Sequence, residues 1–327
     1  MKEKSGLKRR GEMKRLVLFI IFLFLAVVSH FIGVEKLPIH INTWSSHELD
    51  IFLFSRFPRL ISIIIAGAGI SICGMIMQSL TQNKFVSPTT AGTMDAARLG
   101  VLVSLLFFTG SSLFVKMSVA FLFALAGSFV FMKILDSISI RDTILIPLVG
   151  LMFGNILSSI ATFFAVKFDL VQNISSWLAG DFSMIMKGRY EILYLSIPLF
   201  ILAYIYANKF TVSGMGETFA SNLGLSYRAV MQIGLVIVSF ITATVVLTVG
   251  MIPFLGLIVP NIISILKGDH LQKNLMDTAL FGASFLLVCD MIGRVILYPY
   301  EVSISLVVGI IGSVIFLILL FRRKSYA

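Results

Sequence analysis

Long apolar blocks separated by short polar connections run through the whole chain. Blocks that approach a bilayer crossing of about 17–25 residues are Leu16–Val34, Leu60–Leu80, Thr89–Phe108, Met117–Met132, Ile144–Val166, Ile192–Ala207, Ala229–Val249, Phe254–Leu266, Leu275–Leu297 and Ile304–Phe321. Each predicts a helix, because a backbone in hydrocarbon must satisfy its own hydrogen bonds. Two blocks depart from the simple form. The third carries Asp95 and Arg98, and the eighth is too short to cross alone, so it is expected to begin within the preceding turn. The longest polar connections are Glu35–Asp50, Lys167–Arg189 and Asn208–Arg228. None is long enough to bury a core of its own. The expected organisation is a basic start (1–15), one ten-helix all-α membrane domain (16–323) and a short tail (324–327).

Composition sharpens this picture. Of 327 residues, 58% are hydrophobic and 13% charged, with a mean hydropathy of +1.00. Soluble domains run at about 45–50% apolar and about 25% charged. A soluble enzyme, a disordered chain and a disulfide scaffold are therefore excluded. Cys73 and Cys289 lie in apolar blocks without metal-ligand spacing, and are expected as free buried thiols. The net charge of +10 comes with no basic groove and no interleaved aromatics. It reports membrane orientation, not nucleic-acid binding.

The first block follows Lys2, Lys4, Lys8, Arg9, Arg10, Lys14 and Arg15. That resembles the start of a secretory signal, with Val27-Val28-Ser29 as a poor cleavage site. The apolar run of 19 residues exceeds the roughly 7–15 of such a signal, so a retained first span is expected. With the N-terminus inside, 17 Lys and Arg residues fall on the inner side and 8 on the outer, leaving Arg98 within the membrane. This asymmetry favours both termini on the cytoplasmic side of the cell membrane. Ten spans satisfy that parity.

Several chemistries lack their residues. No GxxxxGK[ST] loop occurs, so the chain is not itself a typical P-loop ATPase. Gly67-x-Gly69 with Gly74, Gly150-xxx-Gly154 and Gly309-xx-Gly312 lie in spans and read as close helix packing. His30, His40, His47 and His270 have no metal spacing. No nucleophile–base pair stands out. No catalytic residue, cofactor or metal is expected, and a transporter leads. An ion-coupled carrier would place several carboxylates at mid-membrane. Here the intramembrane ionisable residues are Asp95, Arg98 and Asp290. Asp95 and Arg98 share a helix face at i,i+3, as a self-neutralising pair or as polar lining of a path.

The inner connection Gly214–Arg228 is patterned as an ordered element. Glu217 to Asn222 suits a short helix, Gly224 suits its left-handed end, and Ser226 suits the cap of the next helix. Such an element is a docking surface or an ordered linker.

Five groups of residues, in order, carry a resemblance. They are Arg56-Phe-Pro-Arg59 followed by Ala66-Gly67-Ala68, Gly74 and Gln78; Asn83 and Pro88 followed by Gly92; Trp177-Leu-x-Gly180; Ala220-x-x-Leu223-Gly224 followed by Gly250, Phe254, Gly256 and Pro260; and Asp290-x-x-x-Arg294, Glu301, Gly312 and Phe316. Over about Phe54 to Arg323 the chain resembles permease subunits of the FecCD type. That family imports iron–siderophores, haem and vitamin B12 by ATP-driven transport. The block Asn83–Asp95 looks closest to the branch handling siderophores of the petrobactin and anguibactin kind. The sequence departs from the family at Asn261 and Ser264 (usually His and Arg), at Ser303 and Ser305 (usually Pro and Gly), and at Val314 and Lys84 (usually Pro). These departures put local helix breaks in question, not the fold.

The resemblance implies a non-catalytic, type II ABC importer permease of ten spans. It pairs with a second permease subunit, identical or not, two cytoplasmic ATPases and an external substrate-binding protein, a lipoprotein in a Gram-positive cell. The cargo is a ferric siderophore, with vitamin B12 or haem as the alternative. A lone ion-coupled carrier is the distant one. By resemblance, Arg56, Arg59 and Arg294 meet acidic groups of the binding protein; interfacial snorkelling is the plainer reading. Glu217, Thr218, Ala220, Leu223 and Gly224, within 208–228, fall on the coupling helix that seats in the ATPase. Arg141, Asp142 and Thr143 match the cytoplasmic gate region, or are a plain turn. Trp177 falls on a short outer helix lining the path, or belongs to an interfacial aromatic belt. Asp95 and Arg98 complete the expected pathway set.

Overall fold

Each apolar block lies on a helix in the computed structural model, which describes residues 2–33, 45–137 and 145–323. The helices are α1 (Lys2–Phe31), α2 (Ser46–Ile51), α3 (Phe57–Leu80), α4 (Thr93–Phe107), α5 (Leu113–Ser137), α6 (Leu145–Lys167), α7 (Val171–Leu178), α8 (Ser196–Ser213), α9 (Glu217–Asn222), α10 (Tyr227–Thr248), α11 (Leu255–Lys267), α12 (Leu271–Val295) and α13 (Ile304–Arg323). A π-helical turn, Phe52–Arg56, joins α2 to α3, and a 3-10 turn, Glu191–Leu195, leads into α8. Among the described residues, seven helical stretches are long and apolar enough to cross a membrane. The apolar part of α1 and all of α11 are shorter apolar helices.

α3 is the central element. It packs against α12, α11, α10 and α8, and most of its residues are buried. Small residues permit this. A Cβ on Gly67 would lie 2.8 Å from the backbone of Ala283 and Gly282 on α12. A Cβ on Gly74 would lie 1.8 Å from the carbonyl oxygen of Gly256 on α11. Without side chains at these points, the backbones meet directly, which is how helices associate in lipid. Gly150 and Gly312 serve similar contacts, with Thr90 and Phe254. Gly309 is the looser one: its nearest neighbour, Pro253, would be 3.8 Å away.

The eighth block is short because α11 starts inside the protein. Its 13 residues span about 20 Å at 1.5 Å per residue, against a hydrocarbon core of about 30 Å. The chain from Gly250 (φ +96°) to Phe254 (φ +59°) is not helical. Its main chain is taken up by the end of α7: the Met251 amide donates to the Leu178 carbonyl at 3.3 Å, and the Asp181 amide to the Val249 carbonyl at 3.0 Å. Irregular backbone is tolerated at such depth only where protein covers it. α4 is also short, at 15 residues, because Thr89–Gly92 belong to a turn-rich stretch before it.

The departures from the family motifs have different outcomes. The turns before α4 persist without a proline at 84, and a break persists before α13 with Ser303 and Ser305 in place. At Val314 the helix runs on unbroken.

α1 lies along α12 and is bonded to it at two places. Midway along α1, Arg15 Nε donates to Asp277 Oδ1 at 3.2 Å and Arg15 Nη2 to the Lys273 carbonyl at 2.9 Å. Asp277 also receives Lys267 Nζ of α11 at 2.7 Å. At the outer end, Arg294 Nη1 donates to the Ser29 and Ile32 carbonyls at 2.9 and 2.8 Å. These are carbonyls at the C-terminal end of α1, where a cation is favoured. Cys73 and Cys289 are free and buried.

Gly74→Val is expected to abolish stable folding, since at least about 1–3 kcal/mol follows from overpacking alone and here the obstacle is backbone. Gly309→Ala is expected to leave thermal stability in detergent unchanged. Size-exclusion and melting measurements on the two variants check this.

Candidate functional site

Arg59 and Arg294 converge on two carboxylates. Arg59 sits in the first turn of α3, where Pro58 fits because early helical amides need no partner. Asp290 and Arg294 are one turn apart on α12, and Glu301 lies on the stretch between α12 and α13. Arg59 Nε and Nη2 donate to Asp290 Oδ1 at 3.2 and 2.8 Å, and Arg59 Nη1 to Glu301 Oε2 at 2.7 Å. Arg294 Nη2 donates to Asp290 Oδ2 and to Ser29 Oγ, the latter at 3.1 Å. Two cations thus face two anions, and the forked guanidinium geometry suits carboxylate pairs. Arg294, only 7% exposed, is enclosed and serves the fold. Arg56, half-buried on the π-helical turn, donates through Nη1 to the His30 carbonyl. A Cβ on Gly33 would come 2.9 Å from its Nη2.

The stretch after α12 leads on to the outer helix. The Val302 amide donates to the Gly293 carbonyl at 2.9 Å, the Ser305 amide to the Gly180 carbonyl at 3.2 Å, and Ser305 Oγ to the Ala179 carbonyl. α7, the short helix that carries Trp177, is therefore bonded at its end to both 249–251 and 305.

Asp95 and Arg98 do not form an ion pair with each other among the described residues; each leans on α6 instead. A Cβ on Gly154 would sit 2.6 Å from Asp95 Oδ2, so that glycine makes room for the carboxylate. Arg98 Nη1 donates to Ser158 Oγ at 2.9 Å. Arg141, Asp142 and Thr143 lie outside the described residues.

On the inner side, α9 forms as the sequence predicts. Gly224 takes φ +75° with open space around it. Its left-handed turn lets the Leu225 amide return to the Ala220 carbonyl at 3.0 Å, a glycine-terminated helix end. Ala220 is buried as the anchor, while Glu217, Thr218, Leu223 and Gly224 are exposed. Met215, Phe219 and Leu223 expose apolar surface together here, the mark of a contact site. Ser226 stands at the N-cap of α10, but its side chain makes no capping bond.

Three departures from the family motifs meet one another beside this element. Asn261 Nδ2 donates to the Lys84 carbonyl at 2.8 Å, and Lys84 Nζ reaches Ser264 Oγ at 3.1 Å and Asp269 Oδ1. Lys84, Ser264 and Asp269 border a cavity of about 390 Å³ lined also by Gln78, Gln82 and Asn274. Sequence reasoning missed this pairing, as it did those of Arg59 with Glu301 and Asp277 with Arg15. An unmatched lysine at 84 together with a lost arginine at 264 was the available signal.

Comparison with known proteins bears on the whole of this arrangement. The model of the FecCD transport family matches residues 16–322. The chain is 64% identical over 316 residues to the petrobactin import system permease protein YclN of Bacillus subtilis (strain 168), covering 96% of this chain and 100% of that protein. It is 41% identical over 306 residues to the ferric-anguibactin transport system permease protein FatD of Vibrio anguillarum, covering 93% and 98%. Its fold matches a solved structure titled an inward-facing conformation of a putative metal-chelate type ABC transporter, with a TM-score of 0.81 at 21% identity, over 94% of this chain and 98% of that one. With its apolar helices, small-residue crossings and near-complete match, the chain is a multi-pass membrane protein belonging to the FecCD transport family.

Proposed function

We propose that this chain is the membrane permease subunit of an ATP-binding cassette importer that carries a ferric siderophore of the petrobactin kind across the cell membrane. The observation that carries the reading is the 64% identity, over essentially the full length, with a petrobactin import permease. The anguibactin relative supports siderophore over vitamin B12 or haem as cargo. The subunit itself is non-catalytic. It works with a second permease subunit, two cytoplasmic ATPases and an external binding protein, with both termini inside.

In this reading α9 is the coupling element. Its exposed Met215, Phe219 and Leu223 enter the ATPase, and Ala220 ties their movement to α8 and α10. Arg56 and Arg59, at the outer ends of the π-helical turn and α3, face the binding protein. Charge-assisted pairs there set register and encounter rate more than raw affinity. Asp95, Arg98 and α7 line the path between the two faces.

Three outcomes are expected. Deleting the gene should abolish uptake of radiolabelled iron supplied as a ferric catecholate siderophore at low iron, and the gene should restore it. Uptake that persists, while labelled cobalamin or haem uptake falls, would move the cargo to those ligands. Gly224→Val should leave ATP hydrolysis by the assembled complex but uncouple uptake, because a left-handed backbone costs a side-chain-bearing residue about 1–2 kcal/mol. Gly224→Asn should retain most coupling; full transport by the valine variant would count against the coupling role. Arg56→Glu should weaken capture of the binding protein with melting temperature unchanged, read by surface-immobilised complex in nanodiscs.

A further inference from the structure

The two carboxylates that hold Arg59 are not equivalent. Asp290 is on a helix, its side chain is 2% exposed, and it also receives Arg294. Glu301 is on a non-helical stretch, its side chain is 23% exposed, and it takes one corner of the guanidinium, Nη1. The segment leading to it carries Leu297, Tyr298 and Tyr300 exposed at the outer end. Beyond it, Ser305 bonds the end of α7 through the Gly180 and Ala179 carbonyls. One pair is therefore fixed, and the other sits at the rim with a surface apolar tip on one side and the path-lining helix on the other.

We propose that Arg59–Glu301 is an exchangeable pair. A carboxylate of the external binding protein replaces Glu301 on Arg59 Nη1, while Asp290 keeps the rest of the guanidinium in place. Glu301, displaced, releases the 296–303 stretch, and through Ser305 the end of α7 loosens at the outer mouth. Until a partner arrives, Glu301 acts as an internal competitor that keeps Arg59 charge-balanced and the mouth stitched. This rests on the docking reading above, and names the residue through which docking acts on the path. Both side chains are largely covered, Arg59 13% and Glu301 23% exposed, so Arg59 cannot be left without a carboxylate, and exchange keeps it paired. Exchange of one carboxylate for another is then close to balanced, and the contacts of the docked partner decide its direction.

The test uses the complete permease–ATPase complex in nanodiscs and its purified binding protein loaded with ferric siderophore. Glu301→Gln keeps the shape and removes the competing charge. It should tighten binding about two- to fivefold, the effect of removing one weak competitor for Arg59 Nη1. Asp169→Asn, a carboxylate removed from the exposed end of α6, is the charge-matched control and should leave affinity unchanged. A spin label at Tyr300→Cys should gain mobility when the binding protein docks on the otherwise native complex, and should already be mobile in the undocked Glu301→Gln complex. Unchanged or weaker binding by Glu301→Gln, equal tightening by Asp169→Asn, or a label whose mobility ignores docking would each overturn the exchange. If Arg56→Glu weakens binding while Glu301→Gln does nothing, the exchange fails and the docking face stands. If neither changes binding, the docking reading fails and takes the exchange with it.

Discussion

Hydrocarbon offers a backbone no hydrogen-bonding partner, and every feature of this chain answers that constraint. Regular helices meet it directly. Where the helix stops inside the bundle, other main chain takes over: the stretch at the end of α7 bonds 249–251 on one side and Ser305 of α13 on the other. Direct backbone contact at Gly67, Gly74, Gly256 and Gly282 serves the same end, drawing α3, α11 and α12 into a scaffold against which the broken segments are held.

Charge is distributed under the same constraint. Isolated ions are costly at depth, so the ionisable groups gather in paired sets. Arg59, Asp290, Arg294 and Glu301 form a set of two cations and two anions; in a second set Arg15 and Lys267 share Asp277. Asp95 and Arg98 are the exception, resting on Gly154 and Ser158 of α6 without an ion pair between them.

Much of the fold was legible because burial in lipid writes itself into composition. The ten apolar blocks fall on helices, the short eighth block marks a helix that begins mid-protein, and Gly224 takes the left-handed turn its position called for. What the sequence did not reveal is which charge meets which. Spacing put Asp95 near Arg98, but among the described residues they form no ion pair, and each packs against α6. It did not show that Asp290 and Glu301 would engage Arg59, since those partners lie more than two hundred residues away. The Lys84–Ser264–Asp269 contact was hidden for the same reason: it joins two motifs that look independent in one dimension. Ser226 had the right type for a cap and the right position, yet no side-chain bond formed.

The two attachments of α1 to α12 differ in their surroundings. Arg15 is 48% exposed, whereas Arg294 is buried. Mobile ions screen the first far more than the second. Raising ionic strength therefore acts on this helix asymmetrically: it weakens the Arg15–Asp277 attachment and leaves the Arg294 attachment in place, so salt grades how firmly the first half of α1 is held against α12 while its last turn stays fixed.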